Sequence, residues 1–256
     1  MTPLLETRGL SKTFGGLKAV QNVDLQIGAN RIVSVIGPNG AGKTTFFNCL
    51  SGIYRPDGGS ILLEGRDITG RAPQQICTLG MSRTFQNIRL FPEMSVLQNV
   101  LVAQFQHSSI SPLPLLLRSQ HFCEQERSSR DEALGFLEFV GLAPYANHVS
   151  SNLAYGLQRR LEIARALATK PRILLLDEPA AGMNPQEAVE MVQLISRIRD
   201  RGLAILLIEH HMKVVMSISD EILVLDHGVQ IAHGAPEKVR NDPQVIRAYL
   251  GEEISN

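Results

Sequence analysis

Two short, continuous apolar runs place the strongest constraint on how this chain folds. They are RILLL at residues 172–176 and LAILLI at residues 203–208. Strands without an alternating polar face are typical of parallel sheets that are covered on both sides. A helical pattern, PQEAVEMVQLISRIRD at residues 185–200, lies between the two runs. Because parallel strands need a crossover connection, this order predicts βαβ units and an α/β fold.

Several runs outside this unit also predict strands. AVQNVDLQI at residues 19–27 alternates apolar and polar positions, and RIVSVIG at 31–37 is compact and β-branched. ILLEGRDI at 61–68 predicts a short strand followed by a turn. EILVLDHGVQIAHG at 221–234 predicts a β-hairpin that turns at its Asp-His-Gly triplet, residues 226–228.

One long segment shows no convincing strand. Residues from about 95 to 150 are typical of two or more helices, with an interruption, SSISPLPLLLRS, at 108–119. We expect this segment, 95–150, to be a helical insertion. The flanking residues 1–94 and 151–256 are expected to form an α/β core with a β subdomain, so that the chain, 1–256, is a single domain.

The composition argues against several classes of protein. The 25 Lys and Arg residues are matched by 25 Asp and Glu residues, so a general attraction to nucleic acid is not expected. The basic residues of RRLEIAR (159–165) are interrupted by Glu162 and favour a solvated helix face. The longest apolar runs are far too short to span a bilayer. Three cysteines without a CxxC pair, Cys49, Cys77 and Cys123, indicate reduced thiols in a cytosolic setting.

A glycine-rich segment follows the predicted RIVSVI strand. GPNGAGKT, at residues 37–44, fits the pattern G-x-x-x-x-G-K-[ST] and leads into a helical stretch, which is the context that the pattern requires. Gly40 and Gly42 allow backbone N–H groups to turn toward phosphate oxygens. Lys43 supplies a positive charge to the β- and γ-phosphates, and Thr44 offers a hydroxyl to Mg²⁺. A glycine-rich turn beside a surface lysine is the competing interpretation, and the next motif argues against it.

Two carboxylates stand at the end of another predicted strand. ILLLDEP (173–179) delivers Asp177 and Glu178 to the strand end where ligands bind in parallel α/β sheets. Asp177 is suited to hold Mg²⁺, directly or through water, and Glu178 to orient and polarise a water that attacks the γ-phosphate. Phosphoryl transfer requires mainly positioning and charge neutralisation. The two motifs together therefore predict a site that hydrolyses a nucleoside triphosphate.

Further short motifs appear along the chain, namely KTFGG, TFQN, LAYGLQRR, AAGMNP and LLIEH. In this order, and together with the phosphate loop and the DEP strand, they resemble the ATP-binding subunit of an ABC transporter over nearly the whole chain. The resemblance implies a P-loop NTPase (RecA-like) α/β core with an antiparallel β subdomain and an inserted α-helical subdomain. Segments such as SRTFQNIRLFPEMSVLQNVLVA and LLIEHHMKVVMSISD are most similar to the larger ATPase subunit of bacterial high-affinity branched-chain amino acid importers.

The resemblance also implies roles for individual residues, with ATP and Mg²⁺ as cofactors. Gln86, Glu178 and His210 are the implied catalytic residues, and His210 is the one that contacts the γ-phosphate. The implied magnesium ligands are Thr44, Gln86 and Asp177. The implied nucleotide-binding residues are Phe14, which stacks on adenine, Gly37, Pro38, Asn39, Gly40, Ala41, Gly42, Lys43, Thr44 and Thr45, and, toward the nucleotide of a partner chain, Ala154, Tyr155 and Gly156.

LAYGL takes the place of the LSGGQ signature of this family, which faces the nucleotide of a partner chain. The following helix is predicted at 157–167, with no Ser, Thr, Asp or Asn directly before it to act as an N-cap. We expect the backbone of Ala154, Tyr155 and Gly156 to face the partner's γ-phosphate, since glycine allows a close approach and a helix N-terminus supplies N–H donors. Neither Ala154 nor Leu157 can add a side-chain hydrogen bond to that phosphate.

The resemblance implies several partner proteins. They are a second ATPase subunit, in a homodimer or a heterodimer, two transmembrane permease subunits and, indirectly, a periplasmic substrate-binding protein. No nucleic acid is implied. The chain is then expected at the cytoplasmic face of the bacterial inner membrane, attached through the permeases. Solute choice lies in those other chains, so a related amide or urea importer stays open.

Classes outside transport are the remaining alternatives. An ABC ATPase of the DNA-repair type would need a long coiled coil that interrupts the core, and the segment 95–150 is too short for one. A translation factor of this family would carry two phosphate loops and basic linkers, whereas this sequence has one loop and no net charge. A regulatory nucleotide-binding module would be expected to lack the carboxylate at Glu178.

Overall fold

The structure is a computed structural model in which residues 3–104 and 120–253 are described. The strands, numbered along the chain, are β1 (Leu5–Phe14), β2 (Leu17–Ile27), β3 (Ile32–Ile36), β4 (Gly58–Leu63), β5 (Arg66–Asp67), β6 (Met81–Arg83), β7 (Ile173–Asp177), β8 (Ala204–Ile208), β9 (Glu221–Asp226) and β10 (Val229–Gly234). The helices are α1 (Lys43–Leu50), α2 (Pro73–Thr78), α3 (Val96–Gln104), α4 (Gln120–Phe139), α5 (Tyr155–Ala168), α6 (Pro185–Asp200), α7 (Met212–Ile218), α8 (Pro236–Arg240) and α9 (Pro243–Glu253).

The strands form one sheet with a parallel and an antiparallel part. Their order is β5-β4-β1-β2-β10-β9-β3-β8-β7-β6, and β6, β7, β8, β3 and β9 run parallel. Successive apolar residues of β7 and β8 are buried on opposite faces of the sheet, in two different hydrophobic clusters. The predicted α/β fold with doubly covered parallel strands is therefore confirmed.

The antiparallel part contains a strand that the sequence pattern does not predict. β1 pairs with β2 on one side and with β4 on the other. Its polar residues, among them Thr7 and Ser11, interrupt the alternation, and its pairing with β2 shifts register several times between Thr7 and Thr13. Such a strand is defined by its two neighbours rather than by its own periodicity.

The predicted hairpin at the end of the core is formed by β9 and β10. Its turn contains His227 and Gly228, whose φ angles of 45° and 80° are both left-handed. Two consecutive left-handed residues are typical of the tight turns that match the twist of a hairpin. A Cβ atom at Gly228 would lie 2.9 Å from the carbonyl oxygens of Lys18 and Ala19, so glycine is required there by packing as well.

The helices α3, α4 and α5 pack against one face of the parallel strands. Val100, Leu137 and Leu161 belong to the same buried cluster as Leu174 of β7. Residues 105–119, which the predicted helical insertion includes, lie outside the described residues. The boundaries of that insertion stay a prediction. Among the described residues, none of the helices combines the length and the apolarity needed to cross a membrane.

The helix α5 begins two residues earlier than the sequence pattern predicts. The carbonyl of Ala154 accepts hydrogen bonds from the backbone N–H groups of Leu157 and Gln158, both at 3.0 Å, so Tyr155 already lies in the first turn. The predicted start at Leu157 is wrong. Tyr155 and Gly156 have poor helix propensity, so the sequence pattern does not include them in the helix. No side chain caps the helix at Ala154, as expected.

Candidate active site

The glycine-rich segment connects the buried strand β3 with α1. Gly37 and Gly42 have φ angles of 149° and 99°. A Cβ atom at Gly37 would collide with the carbonyl oxygen of Leu225, and one at Gly42 with that of Ala19. These two glycines are required by the close approach of neighbouring strands, so the loop has its shape before any ligand binds.

The tip of the loop is open. Gly40 has a φ angle of 78°, and a Cβ atom there would meet nothing within 4 Å. Asn39 beside it is also exposed, whereas Pro38 and Ala41 are buried. The helix α1 begins at Lys43, and the first N–H groups of a helix have no acceptor within it. The loop therefore presents backbone donors and a helix N-terminus to an open space, which suits an anion such as a phosphate.

The lysine of the motif folds back onto the loop. Lys43 Nζ donates hydrogen bonds to the carbonyl oxygens of Gly37 and Pro38, at 2.6 and 2.8 Å. The side chain lies within the loop, so its ammonium group is already at the proposed phosphate position. Thr44 is exposed and Thr45 half-buried in the first turn of α1.

Asp177, the proposed magnesium ligand, forms an ion pair that the sequence analysis does not predict. Its Oδ2 atom accepts a hydrogen bond of 2.7 Å from Arg83 Nη2, and both side chains are almost fully buried. Arg83 Nη1 also donates to Asn48 Oδ1 at 2.6 Å and to Ser51 Oγ at 2.9 Å. Burial lowers the pKa of Arg83, and the bond to Asp177 opposes this shift. Arg83 thus links the end of β6 to α1 and holds the carboxylate in place.

The three proposed catalytic residues lie together. Gln86 Nε2 donates a hydrogen bond of 3.1 Å to Glu178 Oε2, and His210 Nδ1 lies 3.6 Å from Glu178 Oε1. Glu178 follows β7 directly and has a φ angle of 48°, which turns the chain sharply at the strand end. Its backbone N–H donates to Ile208 of β8 at 3.0 Å. Two segments that are distant in sequence, those of Gln86 and His210, therefore converge on the carboxylate of Glu178.

A second carboxylate, Glu209, supports this arrangement. Its side chain is fully buried and accepts hydrogen bonds from the backbone N–H groups of Ala180 at 3.3 Å and His210 at 3.2 Å. It thereby ties the segment that follows Glu178 to the segment that carries His210. His211 is turned toward Glu209, with a distance of 3.4 Å from Nδ1 to Oε2, and not toward Glu178. The signal for Glu209 in the sequence is a charged residue placed directly after an apolar strand.

Phe14, the proposed adenine-stacking residue, lies at the end of β1. Its ring is 42% exposed and contacts Tyr54 edge-on, with 5.2 Å between the ring centroids. Lys12 Nζ lies 5.3 Å from the same ring centroid. An exposed aromatic face beside a cation can accept a planar base, and this position differs from that of a core phenylalanine.

The signature segment presents an exposed start of α5. Ala154 and Tyr155 are exposed, whereas Gly156 is buried. A Cβ atom at Gly156 would lie 3.0 Å from Oε1 of Glu187, near the start of α6. A side chain at position 156 would therefore be crowded by Glu187 of the same chain. The expected approach of a partner's phosphate to the backbone of residues 154–156 stays a prediction.

The basic stretch after the signature is not the solvated face that its pattern favours. Arg159 and Glu162 are 4% and 6% exposed and form an ion pair of 3.1 Å. Burial raises the pKa of Glu162, and the backbone N–H of Arg89 and the charge of Arg159 oppose that shift. This expectation is wrong because the partners of Arg159 come from the segment around Gln86, which the helical pattern cannot report.

The residues present fit ATP and Mg²⁺. The open loop tip, the helix start and the Lys43 ammonium suit a triphosphate. The Thr44 hydroxyl, the Gln86 amide and the Asp177 carboxylate supply the hard oxygen donors that Mg²⁺ prefers.

Comparisons with known proteins agree with this chemistry. A profile of the ABC transporter family matches residues 20–181, and one described as branched-chain amino acid ATP-binding cassette transporter matches residues 229–255. The high-affinity branched-chain amino acid transport ATP-binding protein LivG of Escherichia coli (strain K12) is 53% identical over 251 residues, which cover 98% of each chain. The corresponding protein BraF of Pseudomonas aeruginosa is 51% identical over 98% of each chain.

Solved structures match the fold over nearly the whole chain at lower sequence identity. The ADP conformation of MJ1267, an ATP-binding cassette of an ABC transporter, has a TM-score of 0.84 and 30% identity, and the match covers 98% of this chain and 100% of that chain. A nucleotide-free cassette of an ABC transporter has a TM-score of 0.84 and 31% identity over 96% of this chain and 98% of its own. The fold and the family resemblance predicted from the motifs are thus confirmed. The chain belongs to the ABC transporter family, as one of its ATP-hydrolysing ATP-binding subunits.

Proposed function

We propose that this chain hydrolyses ATP at the Glu178 site in order to power the import of branched-chain amino acids. The observation that carries the proposal is the convergence of Gln86 and His210 on Glu178, one residue after the buried Asp177. A site for water activation thereby lies at the end of the strand that also offers a metal ligand. The substrate class is supported by the names of the LivG and BraF relatives.

Binding of the triphosphate depends on residues 37–45 and on Phe14. The loop backbone and the start of α1 surround the phosphates, and Phe14 stacks on the base. Lys43 Nζ exchanges the carbonyl oxygens of Gly37 and Pro38 for phosphate oxygens, so a neutral acceptor is replaced by a charged one. Thr44, Gln86 and Asp177 would hold Mg²⁺, which would neutralise charge on the phosphates.

Glu178 prepares the attacking water. Its carboxylate accepts the proton of that water and aligns the oxygen with the γ-phosphorus. Gln86 holds one carboxylate oxygen through its amide, and His210 lies beside the other, where it can reach the γ-phosphate. The backbone around Glu178 is anchored on β8, so the carboxylate is positioned before the substrate arrives.

The partners follow from the exposed signature segment and from the relatives. The backbone of Ala154, Tyr155 and Gly156 faces the γ-phosphate that a second ATPase subunit holds. Two membrane permeases carry the solute, a periplasmic binding protein delivers it, and the chain works at the cytoplasmic face of the inner membrane. Import of an amide or of urea is the second candidate, because no residue of this site contacts the solute.

The proposal is tested with Glu178→Gln in the transporter purified with its permease and ATPase partners. The amide retains the size of the side chain but is a poor base, so kcat should fall about a thousandfold while the affinity for an ATP analogue is retained. Glu237→Gln, on the exposed surface of α8, is the matched control and should leave kcat unchanged. Hydrolysis by Glu178→Gln at the wild-type rate would remove Glu178 from the mechanism.

The solute is tested in cells that carry the same variant. Uptake of labelled leucine should be lost, and uptake of labelled urea and acetamide should be unchanged. Loss of urea or acetamide uptake with normal leucine uptake would assign the chain to the second candidate.

A further inference from the structure

The side chain of Tyr155 makes contacts that its place in the signature does not explain. Its hydroxyl oxygen accepts hydrogen bonds from Arg159 Nε at 3.0 Å and from Arg159 Nη2 at 2.8 Å. Arg159 is one helical turn further along α5 and is 4% exposed, so the guanidinium is held inside the protein. A phenol that is 42% exposed thus orients a buried cation.

The buried cation in turn holds the segment that carries Gln86. Arg159 Nη1 donates to the carbonyl oxygen of Phe85 at 2.6 Å, and Arg159 Nη2 donates to the carbonyl oxygen of Gln86 itself. Glu162, which pairs with Arg159, accepts a hydrogen bond of 2.8 Å from the backbone N–H of Arg89. Arg165 Nη1 also donates to the carbonyl oxygen of Arg89, so three residues of α5 hold the segment from 85 to 89.

The ring of Tyr155 has a second neighbour, the segment that follows Glu178. Gly182 has a φ angle of 74°, and a Cβ atom there would lie 3.3 Å from Tyr155 Cε1. Gly182 comes directly after Ala181, whose backbone N–H donates to the carbonyl oxygen of Glu178 at 3.1 Å. The tyrosine therefore lies between the segment of Glu178 and the arginine that holds the segment of Gln86.

These contacts close a ring. It runs from Tyr155 through Arg159 to Gln86, from the Gln86 amide to the Glu178 carboxylate, and back along the chain to Gly182. We propose that Tyr155 is a positioning residue that sets the distance between Gln86 and Glu178. The inference rests on the catalytic role proposed for Glu178. A displacement of the start of α5 would then change the geometry of the hydrolytic site in the same chain.

The test is Tyr155→Phe in the assembled transporter. The ring against Gly182 is kept and only the bonds to Arg159 are lost, so kcat should fall about fivefold with unchanged KM for ATP, and the melting temperature should fall by a few degrees because a buried donor loses its acceptor. Tyr145→Phe makes the same substitution at another exposed tyrosine, in the short helical turn Ala143–Tyr145, and should leave all three quantities unchanged.

A second comparison separates positioning from a direct contact with nucleotide. In a Gln86→Ala background, Tyr155→Phe should cause no further loss of kcat, since the residue that it positions is absent. A full fivefold loss in that background, or a rise in KM instead of a fall in kcat, would overturn the proposal. Glu178→Gln is measured in parallel to keep the two claims apart. Full activity of Glu178→Gln would refute the proposed hydrolytic mechanism, whereas a failed prediction for Tyr155→Phe alone would refute only the positioning role of Tyr155.

Discussion

The phosphate loop and the signature segment both place a helix start beside a proposed phosphate, yet they are built differently. The phosphate loop lies between two buried elements, β3 and α1, and its shape comes from Gly37 and Gly42, which approach neighbouring backbone. The signature segment is exposed at Ala154 and Tyr155 and has no capping side chain. Its attachment comes from Arg159, one turn further into the helix.

The difference teaches which part of the site depends on its surroundings. The phosphate loop is shaped by the close packing of Gly37 against Leu225 and of Gly42 against Ala19 in neighbouring strands, and its Lys43 ammonium bonds to the loop itself. The signature helix is held by hydrogen bonds between residues 74 positions apart. A loop whose backbone packs against buried strands has its shape in the single chain, whereas a helix start that is exposed and held through side-chain hydrogen bonds can transmit a displacement to the segment of Gln86. We therefore expect a substitution in the phosphate loop to weaken ATP binding by the single chain, and a substitution in the signature segment to slow turnover of the assembled transporter.

Among substitutions in these two segments, the largest effect is expected for Lys43→Ala. The loop loses its cation beside the triphosphate, so the affinity of the single chain for an ATP analogue should fall about a hundredfold. Equilibrium binding of a labelled analogue measures it, and Lys238→Ala, on the exposed surface of α8, is the control. Undiminished affinity would contradict the idea that this loop binds on its own.

A smaller effect is expected at Gly156, and it should appear only in the assembled transporter. In Gly156→Asp a buried carboxylate would meet Glu187, so turnover should fall about thirtyfold, while the ATP affinity of the single chain stays within about twofold. Gly156→Ala adds only the Cβ atom, which displaces the Glu187 carboxylate slightly from its hydrogen bond with the backbone N–H of Asn184, and should cost about threefold.

Gly135→Asp is the matched control for this pair. Gly135 is also a helical glycine, but a Cβ atom there would meet nothing within 4 Å. Its turnover should equal that of the wild type. If Gly156→Asp weakens ATP binding by the single chain as strongly as Lys43→Ala does, the two segments do not differ in the way described.

The smallest effect is expected for Leu157→Gln, which restores the glutamine of the family signature. Leu157 is half-buried against the hydrophobic cluster that contains Leu161 and Leu174. Its side chain has no polar group, so it offers only its backbone to the start of α5. Turnover should change less than about twofold, and the free energy of unfolding should fall by about 1 kcal/mol through lost apolar contact. Thermal unfolding and steady-state hydrolysis measure the two. A large gain in turnover would show that the signature acts through this side chain.

Much of the fold could be predicted because its signals are local. The apolar runs of β7 and β8 report burial on both faces, and the Asp-His-Gly triplet of residues 226–228 reports a tight turn. The strand β1 and the first turn of α5 could not be predicted in this way. The first is defined by pairing with two other strands, and the second contains residues of poor helix propensity.

The sequence by itself determined which chemistry is present. The spacing of the phosphate loop, the carboxylates at the end of β7 and the order of the remaining motifs indicate an ATP-hydrolysing ABC subunit before any coordinates are known. These signals can be recognised from the sequence alone because each belongs to one strand end or one turn, where neighbours in sequence are also neighbours in space.

Only the tertiary structure decided how the charged residues are used. Arg83 pairs with Asp177, and Arg159 pairs with Glu162 inside the protein, although the stretch that contains Arg159 favours a solvated helix face by its pattern. A charged side chain is buried only where distant segments supply its partners, because an unpaired buried charge is too costly. Glu162 is three residues from Arg159 on the same helix, but Asp177 and the carbonyl oxygens of Phe85 and Gln86 reach the two arginines only through the folding of the sheet and the helices around it, so no periodicity along the chain can report them.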